Sequence, residues 1–382
     1  MVRKNSTPVA PWTRPSPVPV VSTGLSVLQV PETCGWNPYV GAGAQALDRQ
    51  GLTLLRPGLC CDDPRPAPLA DLDALAGLSP DVVHLHWPEK LARQYGQAAA
   101  LRVLTGFKER GALLVQSVHN LLPHEPSPAL ACFTARVDAL TDGVHVFSAA
   151  HEQAARRVRP GLPGPALRLA HPLLPQPPVP PGPRVPAPLS VGCLGRLRDY
   201  KGTLRFTRAF LDGAGDGARL LVAGCPASTR THRALAQLAA GDPRLDYRPG
   251  FVADPAHWCE LLHKPAWVAL PYEHLHSSGV LVAALQAGRR ILSPTPLGGT
   301  ALYTARAEPR WWLTVDPWDD RTAVALWRAA AGGGSAVPTG HLALPTWDQA
   351  AQELAAFYQR LRRTGRPVLV LTGAAPTRVG IL

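Results

Sequence analysis

The stretch GRLRDYKG places two cationic side chains in a turn that a glycine bounds at each end. An apolar run ends at Gly195, Arg196 follows at once, and Lys201 precedes Gly202. A guanidinium group binds phosphate oxygens in pairs, and an ammonium group adds a compact positive charge. A solvated basic loop is the plain alternative, but lysine is scarce in this chain. The spacing therefore predicts that Arg196 and Lys201 bind a diphosphate at the carboxyl end of a strand.

A second phosphate contact is predicted in the stretch YEHLHSSGVLVAALQAG. A polar loop leads from an apolar strand to Ser277, Ser278 and Gly279, and a helical pattern then runs to Gly288. Small residues at a helix start expose free backbone N–H groups and the positive end of the helix dipole. An ordinary serine N-cap is the alternative interpretation. Together with the basic turn between Gly195 and Gly202, this helix start predicts a second set of backbone N–H groups that donate hydrogen bonds to phosphate.

Polar residues also follow two predicted strands in the first half of the chain, within DVVHLHWPE and VQSVHNLLPHE. His84 and His86 are two apart on a strand and therefore lie on one face of it. Core histidines, metal ligands and a polar sugar pocket are the three interpretations that this pattern allows. Sugar hydroxyls need directional donors and acceptors together with an aromatic face. The candidates for such a pocket are His84, His86, Trp87, His119, Asn120, His124 and Glu125.

Short apolar runs alternate with amphipathic segments in both halves of the chain, which indicates parallel α/β architecture. Strands are predicted near residues 26–30, 52–57, 81–87, 112–119, 143–149, 189–195, 219–224, 245–250, 266–272, 289–294 and 311–316. Helices are predicted near residues 39–50, 97–110, 128–140, 149–158, 203–211, 229–240, 255–263, 279–287 and 319–330. The pattern predicts two Rossmann-like, doubly wound domains that face each other across a cleft.

The proline-rich stretch HPLLPQPPVPPGPRVPAP excludes a helix or a central strand and separates the two halves. The predicted boundaries are a disordered leader at 1–20, a first domain at 21–170, a linker at 171–188, a second domain at 189–345, a helix at 346–363 that crosses back to the first domain, and a tail at 364–382.

Composition narrows the class of protein. The formal charge is +12, yet long runs of lysine and arginine with interleaved aromatic residues are absent, which argues against a nucleic-acid partner. A basic chain still favours anionic partners such as nucleotide sugars or acidic lipid surfaces. Seven cysteines without a C-x-x-C pair argue against a disulfide framework or a cysteine zinc site. No apolar run reaches the length of a membrane span, so we expect a cytoplasmic protein that contacts membranes at most peripherally.

The motifs resemble those of family 4 glycosyltransferases of the GT-B fold. GRLRDYKG is similar to the turn in which the family's arginine and lysine hold the diphosphate of a nucleotide sugar, and HLHWPE and HNLLPHE are similar to first-domain motifs. The resemblance implies that His119 touches the donor sugar near the reacting carbon. The SSG turn is typical of a variant branch, in which Glu273 is the candidate for the first of two family glutamates and Ala283 stands in place of the second.

The stretch WNPYVGAGAQAL resembles the family's first loop, whose backbone approaches the donor phosphate and whose side chains meet the acceptor. This similarity places Asn37, Tyr39 and Gly41 in the acceptor pocket, with Gly43 also allowing close approach. It further implies retention of anomeric configuration, no metal, and no cofactor besides the nucleoside diphosphate sugar that serves as co-substrate.

We therefore predict a glycosyltransferase that moves a sugar from a nucleoside diphosphate donor to a hydroxyl of a glycan, a glycolipid or a natural product. The histidines or Glu125 would assist proton loss from the acceptor. Three alternatives remain open. They are a metal-dependent hydrolase that uses the His-x-His strand end, a non-catalytic nucleotide-sugar-binding protein, and an epimerase of the same two-domain fold. The sequence predicts no oligomeric state.

Overall fold

The computed structural model describes residues 24–31, 38–57, 69–123, 127–175, 187–252, 254–273, 275, 278–294, 312–331 and 344–364. The predicted leader, most of the linker and nearly all of the tail lie outside these residues. Four predicted site residues also lie outside them, namely Asn37, His124, Glu125 and Ser277. Within the described residues, no helix combines the length and the apolar character needed to cross a membrane.

The first half of the chain forms a parallel six-stranded sheet in the order β2-β1-β3-β4-β5-β6. Its strands are β1 (Ser26–Val30), β2 (Thr53–Leu55), β3 (Val82–His86), β4 (Leu113–Ser117), β5 (Gly143–Val146) and β6 (Ala166–Arg168). The connecting helices are α1 (Pro38–Arg49), α2 (Leu69–Ala76), α3 (Pro88–Tyr95), α4 (Gln97–Glu109), α5 (Pro128–Leu140) and α6 (Ala149–Val158). The inner strands β3 and β5 are wholly buried, because helices cover both faces of a parallel sheet, whereas the edge strands β2 and β6 are partly exposed.

The second half repeats this plan with a parallel sheet in the order β12-β11-β10-β7-β8-β9. Its strands are β7 (Ala187–Leu194), β8 (Arg219–Gly224), β9 (Leu245–Pro249), β10 (Pro265–Ala269), β11 (Arg290–Pro294) and β12 (Trp312–Val315). Its helices are α7 (Thr203–Gly213), α8 (Thr229–Gly241), α9 (Pro255–His263), α10 (Gly279–Gln286) and α11 (Asp320–Ala331), with a 3-10 turn at Asp199–Lys201. The predicted fold class, two Rossmann-like domains, is confirmed.

A final helix, α12 (Trp347–Arg363), returns to the first sheet and packs against its apolar face. Its N-terminus is closed by a capping box between Thr346 and Gln349. Two ion pairs tie α12 to the first domain: Arg49 to Asp348 at 2.7 Å and Arg362 to Asp81 at 3.1 Å. The end of the described chain thus braces the domain in which the chain begins.

Sequence patterns missed three elements of the first domain, namely α2, α3 and β6. The two helices have eight residues each and β6 has three, so none shows enough turns or alternation for periodicity to register. Tertiary packing defines them instead: Leu91, Ala92 and Tyr95 of α3 belong to the main core of the first domain.

Two glycines fix the turn between β7 and α7. Gly202 has a φ of 64°, and a Cβ there would lie 2.2 Å from the carbonyl oxygen of Pro271. Gly195 has a φ of 95°, and its Cβ would lie 3.0 Å from the Val280 side chain. Only glycine permits this approach. The turn therefore docks directly on the segment between β10 and α10.

Replacing Gly202 with alanine tests this docking. Gly111 is the matched control, because it has a φ of 88° and a Cβ there would meet nothing within 4 Å. We expect Gly111→Ala to lower the free energy of unfolding by about 1–2 kcal/mol through backbone strain alone. Gly202→Ala should lose that amount plus a steric cost of about 1–3 kcal/mol. Equal losses in urea unfolding of the two variants would contradict the close approach.

Candidate active site

The candidate site lies at the topological switch point of each sheet, where the strand order reverses. In the first sheet β1 lies between β2 and β3, and in the second β7 lies between β10 and β8. Chain connections leave such a switch point in opposite directions, so a crevice opens beyond the carboxyl ends of the strands. The basic turn follows β7, the SSG helix follows β10, and the predicted histidine motifs follow β3 and β4. Within each domain, the sheet order explains why stretches distant in sequence lie at the same edge of the sheet.

Lys201 is a half-buried cation within this crevice. Its ammonium nitrogen lies 4.9 Å from the ring centroid of Tyr272, and no carboxylate of the described residues pairs with it. Burial, together with the charges of Arg198 and Arg196, lowers the pKa of Lys201 to about 7. Arg196 itself is exposed at the mouth of the turn. The turn therefore concentrates positive charge that an anionic ligand would stabilise.

The start of α10 faces the same place. Ser278 is its N-cap and accepts a hydrogen bond from the Leu281 N–H at 3.3 Å. The N–H groups of Gly279 and Val280 have no acceptor within the helix, as at every helix start. The buried Tyr272 hydroxyl lies beside Ser278 and has no partner of normal hydrogen-bond geometry among the described residues. The free N–H groups at the start of α10, the Tyr272 hydroxyl and the Lys201 ammonium group therefore lie in one region.

Glu273 positions the turn through its backbone. Its N–H donates to the Tyr200 carbonyl at 2.9 Å, which ties the loop after β10 to the basic turn. Its carboxylate is about half exposed and pairs with Arg205 at 3.3 Å. Ala283 is buried in the core of the second domain, so this position of α10 presents no polar group. Glu273 therefore links the loop after β10 to the basic turn.

The wall opposite carries a pair of histidines. Nδ1 of His86 lies 3.1 Å from Nε2 of His119, so one ring donates to the other. The Trp87 ring stacks on His119 with centroids 4.0 Å apart. Trp87 has a φ of 52°, a left-handed conformation that costs free energy for a tryptophan. This strained conformation places the aromatic face of Trp87 against His119, which Asn120 follows in the chain.

His84 instead belongs to a buried hydrogen-bond chain. The Leu169 carbonyl can only accept, so His145 donates to it from Nε2 at 2.9 Å, and Nδ1 of His145 accepts from Ser117 at 2.8 Å. Ser117 then accepts from Nε2 of His84 at 2.8 Å, and Nδ1 of His84 accepts from the Tyr358 hydroxyl at 2.6 Å. Both nitrogens of His84 are used, so it is a structural residue and not a pocket residue.

Burial keeps this histidine cluster neutral. Desolvation holds the pKa values of His84, His86 and His119 well below the ordinary value, and lowers those of His145 and His171 to about 4. Neutral rings can accept as well as donate hydrogen bonds. The first-domain wall is therefore polar but uncharged, opposite a positively charged turn.

Tyr39 and His171 join the two walls. The Tyr39 ring meets His119 edge-on at 4.9 Å and His171 at 5.0 Å. Nδ1 of His171 donates to the Pro172 carbonyl at 2.7 Å, and its Nε2 lies 4.0 Å from the place where a Cβ on Gly279 would stand. The first helix of the chain and the start of α10 thus lie on either side of one histidine.

The glycines of α1 play different roles. A Cβ on Gly41 would meet nothing within 4 Å, which leaves open space beside the backbone of this helix start. A Cβ on Gly43 would lie 3.2 Å from the Trp347 ring, so Gly43 serves the packing of α12. The close approach predicted for Gly43 is therefore made by a side chain of the chain itself.

Sequence reasoning missed Tyr272, Phe147, His145 and His171. A signal for the last two was present, because a histidine stands within, or no more than three residues after, every strand from β3 to β6. The burial of Tyr272 under Lys201 had no signal, since it depends on the docking of two loops. Among the described residues, no group of three or more histidine, cysteine or acidic side chains could hold a metal ion.

Acid should destabilise the protein because of this cluster. An unfolded histidine binds a proton below about pH 6.5, whereas burial keeps the folded rings neutral well below that pH, those of His145 and His171 to about pH 4. Between these values the unfolded chain holds more protons, so each histidine lowers the free energy of unfolding by up to about 1.4 kcal/mol per pH unit as the pH falls. Urea unfolding at pH 7.5, 6.5 and 5.5 measures this slope. A free energy of unfolding that stays constant down to pH 5.5 would contradict the buried, neutral cluster.

Comparison with known proteins gives two kinds of match. No family model matches the chain. Two proteins named GDP-mannose:glycolipid 4-beta-D-mannosyltransferase, both from Xanthomonas campestris pv. campestris, are 29% identical to it over 231 and 249 residues. Each match covers 56% of this chain and 61% of the relative. The chain therefore matches less than two thirds of the length of these relatives.

Solved structures match over most of the chain. Sucrose-phosphate synthase from Thermosynechococcus elongatus has a TM-score of 0.60 at 14% identity and covers 90% of this chain and 100% of its own. Anabaena HepE in complex with UDP and glucose has a TM-score of 0.54 at 13% identity and covers 89% of this chain and 99% of its own. The avilamycin A glycosyltransferase AviGT4 has a TM-score of 0.55 at 16% identity, with coverage of 89% and 99%. The chain has the GT-B fold that these glycosyltransferases share.

Proposed function

We propose that the protein is a glycosyltransferase that uses a nucleoside diphosphate sugar as donor and a hydroxyl group as acceptor. The observation that carries the proposal is the half-buried Lys201, held beside Arg196 without a carboxylate partner among the described residues. The open N–H groups of α10 point to the same place. Departure of a diphosphate develops negative charge there, and prearranged positive groups stabilise it without reorganisation. His119 and Trp87 then face the sugar.

The relatives suggest the donor and the acceptor. Both are named for transfer of mannose from GDP-mannose to a glycolipid, whereas the UDP complexes belong to structures of far lower identity. We therefore take GDP-mannose as the first donor to test and a glycolipid as the acceptor class. A net charge of +12 favours contact with an anionic lipid surface, where a glycolipid would be found.

Stereochemistry is a separate question. The family 4 resemblance implies retention, which stays a prediction. A specific observation favours the opposite outcome: the relatives are named for a β-mannosyl product. The sugar of GDP-mannose is α-linked to phosphate, so a β product requires inversion. Inversion needs a base on the acceptor side, and the first-domain wall supplies candidates.

A hydrolase that uses the His-x-His strand end is disfavoured by His84, whose two nitrogens are already bonded. We propose a reaction that needs no metal, and turnover that persists in a chelator would support this. An epimerase would convert the donor without an acceptor, and a binding protein would leave the donor unchanged. Product analysis separates both from a transferase.

Donor binding should depend on pH through Lys201. Its pKa is about 7 in the free protein, and a bound diphosphate raises it, so binding takes up a proton above pH 7. We expect the affinity for GDP-mannose to be highest below pH 7 and to fall by up to about tenfold per pH unit above it. Calorimetry in two buffers of different ionisation enthalpy measures the proton uptake. Lys201→Arg, which stays charged, should flatten the profile, and an equally steep profile in that variant would contradict the role of Lys201.

Transfer itself is tested with labelled GDP-mannose and a glycolipid extract. Arg196→Ala and Lys201→Ala should each lower kcat by about 10²-fold or more, since each removes stabilisation of the leaving group. The control is Arg208→Ala, because Arg208 is exposed on α7 of the same domain. Digestion of the product with anomer-specific mannosidases reports its configuration. Wild-type turnover in both site variants would remove the diphosphate clamp from the proposal.

A further inference from the structure

A narrow cleft lies behind His119, between the ends of β3 and β4 and the helices α3 and α5. It encloses about 300 Å³ with its open mouth included, and its interior has room for a water or a hydroxyl group rather than for a sugar ring. The polar residues that line it include Glu89, Gln116, His119, Asn120, Thr134 and Arg159. The cleft thus extends the wall of the candidate active site into the first domain.

Glu89 is the titratable group of this cleft that lacks a direct charged partner. It lies in the first turn of α3 and is 8% exposed. Among the described residues it forms no ion pair, and its carboxylate bonds to its own backbone N–H. A buried carboxylate without a cationic partner is costly, and such groups concentrate at functional sites.

Arg159 is not the cationic partner of Glu89. Its guanidinium donates to both oxygens of Asp138 and to the Gln116 side chain at 2.7 Å, so its charge is balanced. Asp138 therefore takes the hydrogen bonds of this buried arginine, whose charge reaches Glu89 only through space. The other charges near Glu89 are Arg93 and Lys90 on its own helix, which act at longer range. The lone pairs of Glu89 remain available to a ligand in the cleft.

We propose that Glu89 is the general base that takes the proton of the acceptor hydroxyl, an inference that rests on the proposed function. The acceptor oxygen, beside His119, forms a bond to the anomeric carbon of the donor sugar. The bond from that carbon to the diphosphate oxygen breaks, and its electron pair leaves with the diphosphate toward Arg196 and Lys201. The acceptor proton moves to a carboxylate oxygen of Glu89, directly or through one water in the cleft.

The neighbouring histidines are weaker candidates for this step. Burial holds the pKa values of His86 and His119 well below their ordinary value, and the two rings bond to each other. Burial instead raises the pKa of Glu89, which makes its carboxylate a stronger base than an exposed one. A base on the first-domain wall would activate an acceptor oxygen on the face of the sugar opposite the diphosphate, and attack by that oxygen inverts the anomeric configuration.

The test uses the full chain with GDP-mannose and octyl β-D-glucoside, and with water alone as acceptor, and measures GDP release. Glu89→Gln keeps the shape of the side chain and removes the base. We expect kcat to fall by about 10²–10⁴-fold while the KM for GDP-mannose stays within about twofold. The matched control is Glu152→Gln. Glu152 lies in the first turn of α6 with its side chain 13% exposed, but two arginines pair with it, so turnover should be unchanged.

A second variant separates catalysis from structure. Glu89→Ala leaves space for formate, which should restore at least about tenfold of the lost kcat, whereas a merely structural glutamate would not be rescued. Wild-type kcat in Glu89→Gln, or a loss in Glu89→Ala that formate does not reverse, would overturn the inference alone. A wild type that releases no GDP with either acceptor would overturn the proposed function, and this inference with it.

Discussion

Like charges held together in a low-polarity crevice are the constraint on which the site depends. Lys201 is half-buried beside Arg196 and Arg198, with an aromatic ring rather than a carboxylate under it. This arrangement costs desolvation and repulsion, which an anion offsets on binding. The turn requires glycine at both ends, because a Cβ at Gly202 would collide with the Pro271 carbonyl and one at Gly195 would crowd Val280 of α10. The packing of two loops thus holds these positive charges close together.

The first-domain wall differs from the basic turn, because its buried polar groups are hydrogen-bonded to one another. The chain from Tyr358 to the Leu169 carbonyl crosses three strands and fixes the tautomer of every ring in it. A fully bonded buried network is rigid. The network uses both ring nitrogens of His84 and of His145, whereas His119 and Trp87 lie outside it. The final helix supplies Tyr358, so the bracing of the first domain and the shape of its wall are one feature.

Much of this plan could be predicted from the sequence, because it follows from local patterns. Alternating apolar and amphipathic segments gave the fold class, and Gly202 next to Lys201 marked the turn. The fate of His84 could not be predicted, since its partner Tyr358 lies 274 positions away. Glu89 gave no signal either, because a glutamate after a proline is typical of any helix start and its burial depends on α3 and the loop after β4. The domain boundaries and the roles of Asn37, His124, Glu125 and Ser277 stay predictions.

A crystal structure of the protein with GDP-mannose tests the central claim most directly, namely that a diphosphate binds between the basic turn and α10. The account predicts phosphate oxygens within about 3 Å of the Lys201 ammonium nitrogen and of the Gly279 backbone nitrogen, with the mannose against His119. Phosphates bound elsewhere, with Lys201 still resting on Tyr272 and touching no ligand atom, would contradict it.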